Sequence, residues 1–296
     1  MIGYPVIVIN NIDQLRRQIQ DWRSRNDTIA FVPTMGNLHE GHLSLVEIAC
    51  KKATRVVVSI YVNPLQFSPD EDFESYPRTL DADLDKLEQS GVDIVFTPDS
   101  SIIYPDGEQE STFVDVPALS QIIEGEFRPT FFRGVATVVL KLFNLVQPDI
   151  AVFGEKDFQQ LLIIKRLVKD LNLPIHIIGG ETRREADGLA MSSRNNYLTV
   201  AERDESKVLA KTLREYQIQI EQGVAVEQAE KSCIETLENH GFLVDYVTLR
   251  ETSSLEVVSD DWIVSNKSTE RNELIILAAA KIGKTRLIDN LKFTLK

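Results

Sequence analysis

Thiols are scarce in this chain: its 296 residues include only two cysteines, Cys50 and Cys233. They lie far apart, each in a stretch of helical spacing, and read as packing thiols, because a free cysteine behaves as a small buried hydrophobe. Positive charge is also short, with 32 Lys and Arg against 45 Asp and Glu and a formal net charge of -13. That balance disfavours a nucleic-acid backbone as partner. No apolar run approaches the roughly 20 residues that span a bilayer, and no basic segment followed by an apolar one opens the chain. No membrane partner and a cytoplasmic location are therefore expected. Repeats, long linkers and low-complexity tracts are lacking. The 43% hydrophobic and 26% charged residues are ordinary for a globular protein, and the length allows two domains that each bury a core.

After a helical stretch near Asp13 to Arg25, short apolar runs recur at Ile29–Val32, Val56–Val62, Ile94–Phe96, Ile150–Phe153 and Ile175–Ile178. Helical spacing separates them at Leu43–Ala53, Ala82–Gln89, Val135–Val146 and Phe158–Asp170. Alternation of this kind predicts an α/β fold, a Rossmann-like parallel sheet covered on both faces. Ligands of such sheets bind at the carboxyl ends of strands, where strand order reverses. Beyond Asn195 the pattern changes to long helices at Ala201–Glu221 and Val226–Asn239, then strands at Val244–Leu249 and Leu274–Lys281. This predicts a smaller C-terminal α+β domain, over residues 183–296 against 1–182 for the first, with polar residues 265–272 as an exposed loop.

The densest chemical signal is Pro33-Thr-Met-Gly-Asn-Leu-His39-Glu-Gly-His42, between the apolar run Ile29–Val32 and a helical stretch. A helix N-terminus offers unpaired N–H groups and positive potential to a phosphate, and two imidazoles three positions apart share one face. On these residues alone, helix capping, a metal site and a nucleotide site remain open. The chain has only four histidines and lacks the spacing of zinc proteases, which disfavours zinc.

Gly154-Glu155-Lys156-Asp157 also sits between a strand and a helix; Lys156 can approach a phosphate and Asp157 can cap the helix. Gln160, one turn further on, and Gln66, in Val62-Asn-Pro-Leu-Gln-Phe67, offer amides to a small polar molecule. Asp187-Gly-Leu-Ala-Met191-Ser192-Ser193-Arg194 is a hydroxyl-rich basic loop able to donate to a triphosphate. Ile282-Gly-Lys-Thr285 is not a P-loop, since Ala278 stands where its first glycine is required; a turn between strands fits better.

Taken together with Tyr76-Pro-Arg-Thr79, Phe132-Arg-Gly-Val-Ala-Thr137 and Thr285-Arg-Leu-Ile-Asp-Asn290, these motifs resemble those of the pantothenate synthetases, the pantoate:β-alanine ligases of coenzyme A biosynthesis. The resemblance runs nearly the length of the chain. It implies a nucleotidyltransferase domain of Rossmann type, a smaller C-terminal domain lending a loop over ATP, and a homodimer. It further implies ATP-dependent condensation of (R)-pantoate with β-alanine to pantothenate, AMP and pyrophosphate, through pantoyl adenylate. The alternative is another small-molecule nucleotidyltransferase of the same superfold.

By this resemblance Met35, Gly36, Asn37, Leu38, His39, Glu40, Gly41 and His42 form one ATP-binding segment, with His39, His42 and Lys156 as the catalytic groups. Gly154, Glu155, Lys156 and Asp157 form a second, Met191, Ser192, Ser193 and Arg194 a third, and Arg183 adds a nucleotide contact. Gln66 and Gln160 hold pantoate, Gln66 also lying near β-alanine. Magnesium is expected mainly on the ATP phosphates, with Asp83 a candidate neighbour because Ala82 stands where relatives often carry an acid. Phe131 occupies a position commonly histidine, so no imidazole role is available there.

Overall fold

The computed structural model describes residues 6–69, 71–266 and 273–295. The chain divides into two compact units, the first running to Glu155 and then from Gln159 to Glu181, the second comprising Lys156–Phe158 and the chain from Thr182 onward.

The first unit contains, in order, β1 (Ile7–Ile9), α1 (Ile12–Ser24), β2 (Ile29–Thr34), α2 (Glu40–Lys52), β3 (Arg55–Ile60), α3 (Leu80–Gln89), β4 (Ile94–Phe96), the short α4 (Ser100–Ile103) and α5 (Glu124–Phe127), α6 (Phe131–Val146), β5 (Ile150–Gly154), α7 (Phe158–Asp170) and β6 (His176–Gly180). Its strands form one parallel sheet in the order β1-β4-β3-β2-β5-β6. Strand β2 explains why both faces need helices. Successive side chains of a strand point to opposite faces, so Ile29 and Phe31 pack with α1, α6 and α7, while Ala30 and Val32 pack with α2 and α3. All four are fully buried, and only an apolar run without polar alternation satisfies both layers.

Chain order sends β3 and β4 to one side of β2 and β5 and β6 to the other. The reversal lies between β2 and β5, which pair through Ala30–Ile150 and Phe31–Ala151. The carboxyl ends of β3, β2 and β5 are thus neighbours at the point where a doubly wound sheet receives its ligand.

The second unit packs α8 (Val200–Ser206), α9 (Val208–Glu221), α10 (Val226–Asn239) and α11 (Asp260–Asn266) with an antiparallel sheet of β7 (Phe242–Glu251), β8 (Glu273–Ile282) and β9 (Thr285–Thr294). Gly283 and Lys284 turn the β8-β9 hairpin, with Ile282 paired to Thr285 and Gly283 at φ 55°, as befits a two-residue turn and not a P-loop.

Three expectations need correction, and one strand went unread. The single helix expected over Ala201–Glu221 is two, because buried Ser206 turns its hydroxyl onto the Arg203 carbonyl oxygen at 2.8 Å and competes with the helical ladder. Ser265 and Asn266 end α11 and are not loop; residues 267–272 of that expected loop lie outside the described residues. The three-residue β1 went unread because it is short and two of its residues are exposed. Cys233 is buried as expected, but Cys50, near the end of α2, is exposed, its thiol 3.6 Å from the carbonyl oxygen of Ser90 at the end of α3.

Candidate active site

The loop that leaves β2 turns through two consecutive left-handed residues, Gly36 at φ 80° and Asn37 at φ 51°. A Cβ on Gly36 would stand 3.0 Å from Ile60 Cγ2 and 3.2 Å from Asp83 Oδ2, so glycine is required both for the turn and for the carboxylate beside it. Asp83 is completely buried. Its Oδ2 accepts the Asn37 N–H at 2.8 Å and the Thr79 hydroxyl at 3.1 Å, and its Oδ1 accepts the Leu38 N–H at 2.8 Å.

His39 then caps α2. The Gly41 N–H donates to His39 Nδ1 at 3.1 Å, while the His39 N–H donates to His42 Nδ1 at 3.3 Å. The rings lie 4.1 Å apart between centroids, tilted by 40°. This reciprocal arrangement does with two imidazoles what a Ser and a Glu do in a capping box. Because each Nδ1 accepts an N–H, each neutral ring carries its proton on Nε2, an assignment made from the heavy-atom geometry. Capping and phosphate chemistry, rivals in the sequence, are here compatible: one nitrogen of each ring shapes the helix start and the other is a donor.

Where the sequence suggested backbone amides as the phosphate cradle, the structure routes them inward. Amides 36, 37, 38, 39 and 41 donate to Thr34, Asp83, Asp83, His42 and His39 respectively. Asp83, a candidate neighbour of ATP-bound magnesium, holds the loop through these bonds. Among the described residues no cluster of three or more His, Cys, Asp or Glu could hold a metal ion.

From the end of β3 the chain runs through Asn63 into a 3-10 turn at Pro64–Gln66. Asn63 is fully buried. Its Nδ2 donates to the Gly134 carbonyl oxygen at 3.2 Å and to Gln66 Oε1 at 3.0 Å, and its Oδ1 accepts the Tyr104 hydroxyl at 2.8 Å. A carbonyl oxygen can only accept, so the Gly134 contact fixes which end of the Asn63 amide is nitrogen. That fixes Gln66 in turn, leaving its Nε2 as the end presented elsewhere. Burial pushes the Tyr104 phenol well above its ordinary pKa, which keeps it a donor to Asn63. Arg128 secures the backbone of the same turn through the Gln66 carbonyl oxygen at 2.9 Å, itself held by Glu71 at 2.7 Å and lying 3.8 Å from the Phe131 ring centroid. Phe131 thus gives the Arg128 guanidinium a cation-π platform.

Leaving β5, Gly154 and Glu155 belong to the first unit, and Glu155 folds its side chain over Gly179 of β6. The two glutamines that open α7 have different tasks. Gln159 is buried, accepts from the Glu124 N–H at 3.2 Å and donates to the carbonyl oxygens of Leu119 and Ile122 at 2.7 and 2.8 Å. Gln160 is half-buried. Of the expected residues in the first unit, the 35–42 segment, Gln66, Gly154 and Glu155 thus leave three neighbouring strands at their carboxyl ends, with Gln160 on the helix that follows.

In the second unit the Asn290 amide donates to the Lys156 carbonyl oxygen at 2.8 Å. The segment expected as a hydroxyl-rich basic loop is a loop closed by one isolated bridge: Met191 N–H donates to the Arg183 carbonyl oxygen at 2.9 Å, Arg184 bridges Ala190, and Gly188 turns at φ 94°. Ser192 then accepts the Arg194 N–H at 3.3 Å and starts a 3-10 turn, Ser193–Tyr197. Arg184 makes a two-pronged contact with completely buried Asp289 at 2.7 and 2.9 Å, which explains why arginine and aspartate occur in those two motifs. Sequence reasoning missed Asn63, Tyr104 and Lys86 of α3. Asn63 could have been found as an asparagine directly before the proline of a strand-end turn; Tyr104 and Lys86 carry no local signal.

The family model described as Pantoate-beta-alanine ligase matches residues 7–292. Pantothenate synthetase of Shewanella woodyi is 50% identical over 289 residues, 98% of this chain and 100% of the relative. That of Shewanella oneidensis is 49% identical over 288 residues, 97% and 99% of the two chains. A crystal structure of pantothenate synthetase from Thermus thermophilus is similar with a TM-score of 0.88 at 41% identity, covering 97% of this chain and 99% of that one. A Francisella tularensis pantoate-beta-alanine ligase complexed with beta-gamma ATP and beta-alanine gives 0.77 at 34% identity, covering 97% of each chain.

Proposed function

The chain belongs to the pantoate-β-alanine ligase family, and on that premise we propose how its residues divide the chemistry. It condenses pantoate with β-alanine in an ATP-dependent reaction that gives pantothenate, AMP and pyrophosphate. In the first step a pantoate carboxylate oxygen bonds to the α-phosphorus of ATP and the bond to pyrophosphate breaks. In the second, the β-alanine amine attacks the acyl carbon, loses a proton and displaces AMP.

The first step brings two anions together, so positioning and preorganised donors dominate. His39 and His42 present Nε2–H to phosphate oxygens, and Lys156 adds a positive charge. Gln66 and Gln160 hold pantoate, and the fixed amide of Gln66 favours an oxygen of the substrate as its partner. Gly154, Glu155 and Asp157 form the second nucleotide segment. Arg183, Met191, Ser192, Ser193 and Arg194 supply the remaining nucleotide contacts. Magnesium travels on the ATP phosphates, because Asp83 already accepts the Asn37 and Leu38 amides and the Thr79 hydroxyl and magnesium keeps much of its water. The homodimer and the cytoplasmic location implied by the resemblance belong to the same proposal; no described helix is long and apolar enough to cross a membrane.

The observation that carries this reading is the reciprocal imidazole cap where strand order reverses, since it aims two donors from a rigid element. The test is pantoate-dependent exchange of labelled pyrophosphate into ATP, followed by addition of β-alanine. Exchange should appear without β-alanine, and AMP with pantothenate only after it. His42→Ala should slow exchange by about 100- to 10,000-fold, the range of a lost proton-handling group. Exchange at the parental rate in that variant would remove His42 from the mechanism.

A further inference from the structure

We propose that Lys86 and Asp83 are positioning residues for the reaction, acting on His42 through a single peptide group of the histidine loop. The inference rests on the reading of His42 as a phosphate-handling group.

Asp83 and Lys86 are three residues apart on α3 and therefore share one face. Both meet the same short stretch of loop. Asp83 accepts the N–H groups of Asn37 and Leu38, each at 2.8 Å. Lys86 Nζ donates to the Leu38 carbonyl oxygen at 2.6 Å. Opposite charges one helical turn apart thus hold the N–H and C=O groups on either side of Leu38, a buried residue.

The Leu38 carbonyl and the His39 N–H belong to the same peptide unit, and that N–H donates to His42 Nδ1. A cation hydrogen-bonded to an amide oxygen withdraws electron density and makes the amide N–H a stronger donor. Lys86 is therefore linked to the His42 ring by two hydrogen bonds and one planar peptide group. Its charge favours the ring form in which Nδ1 accepts and Nε2 carries the proton, the form that presents a donor to phosphate. Asp83 fixes the plane of the preceding amides, so the carbonyl points at Lys86. Neither side chain need touch substrate for this effect.

A purely structural role would alter stability and leave the His42 tautomer alone, so the experiment reads the tautomer directly. Full-length protein labelled with 15N at histidine is prepared as parental chain, Lys86→Met, Lys86→Gln and Lys86→Arg, with His42 resonances assigned by their loss in His42→Ala. Methionine keeps the apolar stem of the half-buried lysine, and glutamine keeps a neutral donor should methionine prevent folding.

The parental His42 ring should show an unprotonated Nδ1 and a protonated Nε2. Lys86→Met, or Lys86→Gln to a smaller degree, should shift population toward the other tautomer. It should also lower kcat for pantoate-dependent pyrophosphate exchange by about 10- to 100-fold, the scale of a displaced catalytic group, with KM for ATP changed less than about 3-fold. Lys86→Arg should restore both signals. An unchanged His42 tautomer in the folded neutral variants overturns the proposal, as does a loss of kcat that arginine fails to recover. If His42→Ala keeps the parental exchange rate, the catalytic reading of His42 fails and the proposed role in the reaction is overturned with it; the tautomer still reports whether Lys86 acts on the ring.

Discussion

Gly134 sits in the first turns of α6 with no room for a side chain. A Cβ there would overlap the Leu65 carbonyl oxygen, and would stand 2.7 Å from the Leu65 carbonyl carbon and 3.1 Å from Leu65 Cβ. Ordinary contact begins near 3.4 Å, so Gly134→Ala requires the 3-10 turn at Pro64–Gln66 to retreat by about 1 Å. That turn carries Gln66, and Asn63 anchors it by donating to the carbonyl oxygen of Gly134 itself. Overpacking of this kind costs about 1–3 kcal/mol of stability. A displacement approaching 1 Å in a substrate-positioning group costs up to about 100-fold in efficiency. The expected result is a KM for pantoate raised about 10- to 100-fold in pyrophosphate exchange at saturating ATP, with KM for ATP nearly unchanged. Leu15→Ala is the control: it empties part of the core beneath α1 and should cost about 2–5 kcal/mol by urea unfolding without moving either KM. A Gly134→Ala protein with parental stability and parental KM for pantoate would refute the reasoning, and so would a Leu15→Ala protein with the same pantoate defect.

Tyr104→Phe leaves the buried Asn63 Oδ1 without the phenol that donates to it at 2.8 Å; we expect a loss of about 1–3 kcal/mol in denaturant unfolding and a KM for pantoate raised more than that for ATP, relative to parental values. Arg184→Met strands completely buried Asp289, and should cost about 3–5 kcal/mol, read by chemical denaturation of the full chain. Asp187 is held below the usual carboxylate range by its hydrogen bond from Arg203. A depressed folded-state value means that its contribution is present above the ordinary pKa of about 3.9 and is lost as pH falls through the lowered value. Asp187→Asn should therefore reduce stability at neutral pH and flatten its decline on acidification, as urea titrations at a series of pH values would reveal.

The layers of the first unit were legible because Ile29–Val32 of β2 and Val56–Val58 of β3 are buried and read as apolar runs, while α1 and α7 carry amphipathic spacing. The His39 and His42 motif was legible because its residues are consecutive. What escaped was what depends on distant chain segments. Asp83 carried no sign of its place in the loop, yet it is buried, 45 residues from the Leu38 amide it accepts. Tyr104 reaches Asn63 across 41 residues and Lys86 reaches Leu38 across 48, so no local spacing marks either pair. Gln159 and Gln160 are adjacent and chemically identical, and only the carbonyls of Leu119 and Ile122 distinguish the structural amide from the half-buried one.

The loop between β2 and α2 also changes the usual account of a phosphate site at a helix start. Dipole and unpaired amides would favour any anion there, but amides 36–39 and 41 are engaged by side chains of the protein itself. Asp83 takes the Asn37 and Leu38 amides, so under the proposed function recognition passes from the backbone to the two Nε2–H groups. Such an arrangement discriminates by geometry: an imidazole donor can also give up its proton, which an amide cannot do near neutral pH. With five of its amides engaged internally, the loop should need little reordering of backbone when nucleotide binds. On this reading Asp83→Asn damages the site in a particular way. The carboxamide presents its own N–H to an amide donor, the Asn37–Leu38 turn opens, and both imidazoles lose alignment together. The losses in His39→Ala and His42→Ala should then fail to add to that of Asp83→Asn, as expected for groups held by one support. Simple additivity in the triple variant would mean that Asp83 and the histidines act separately.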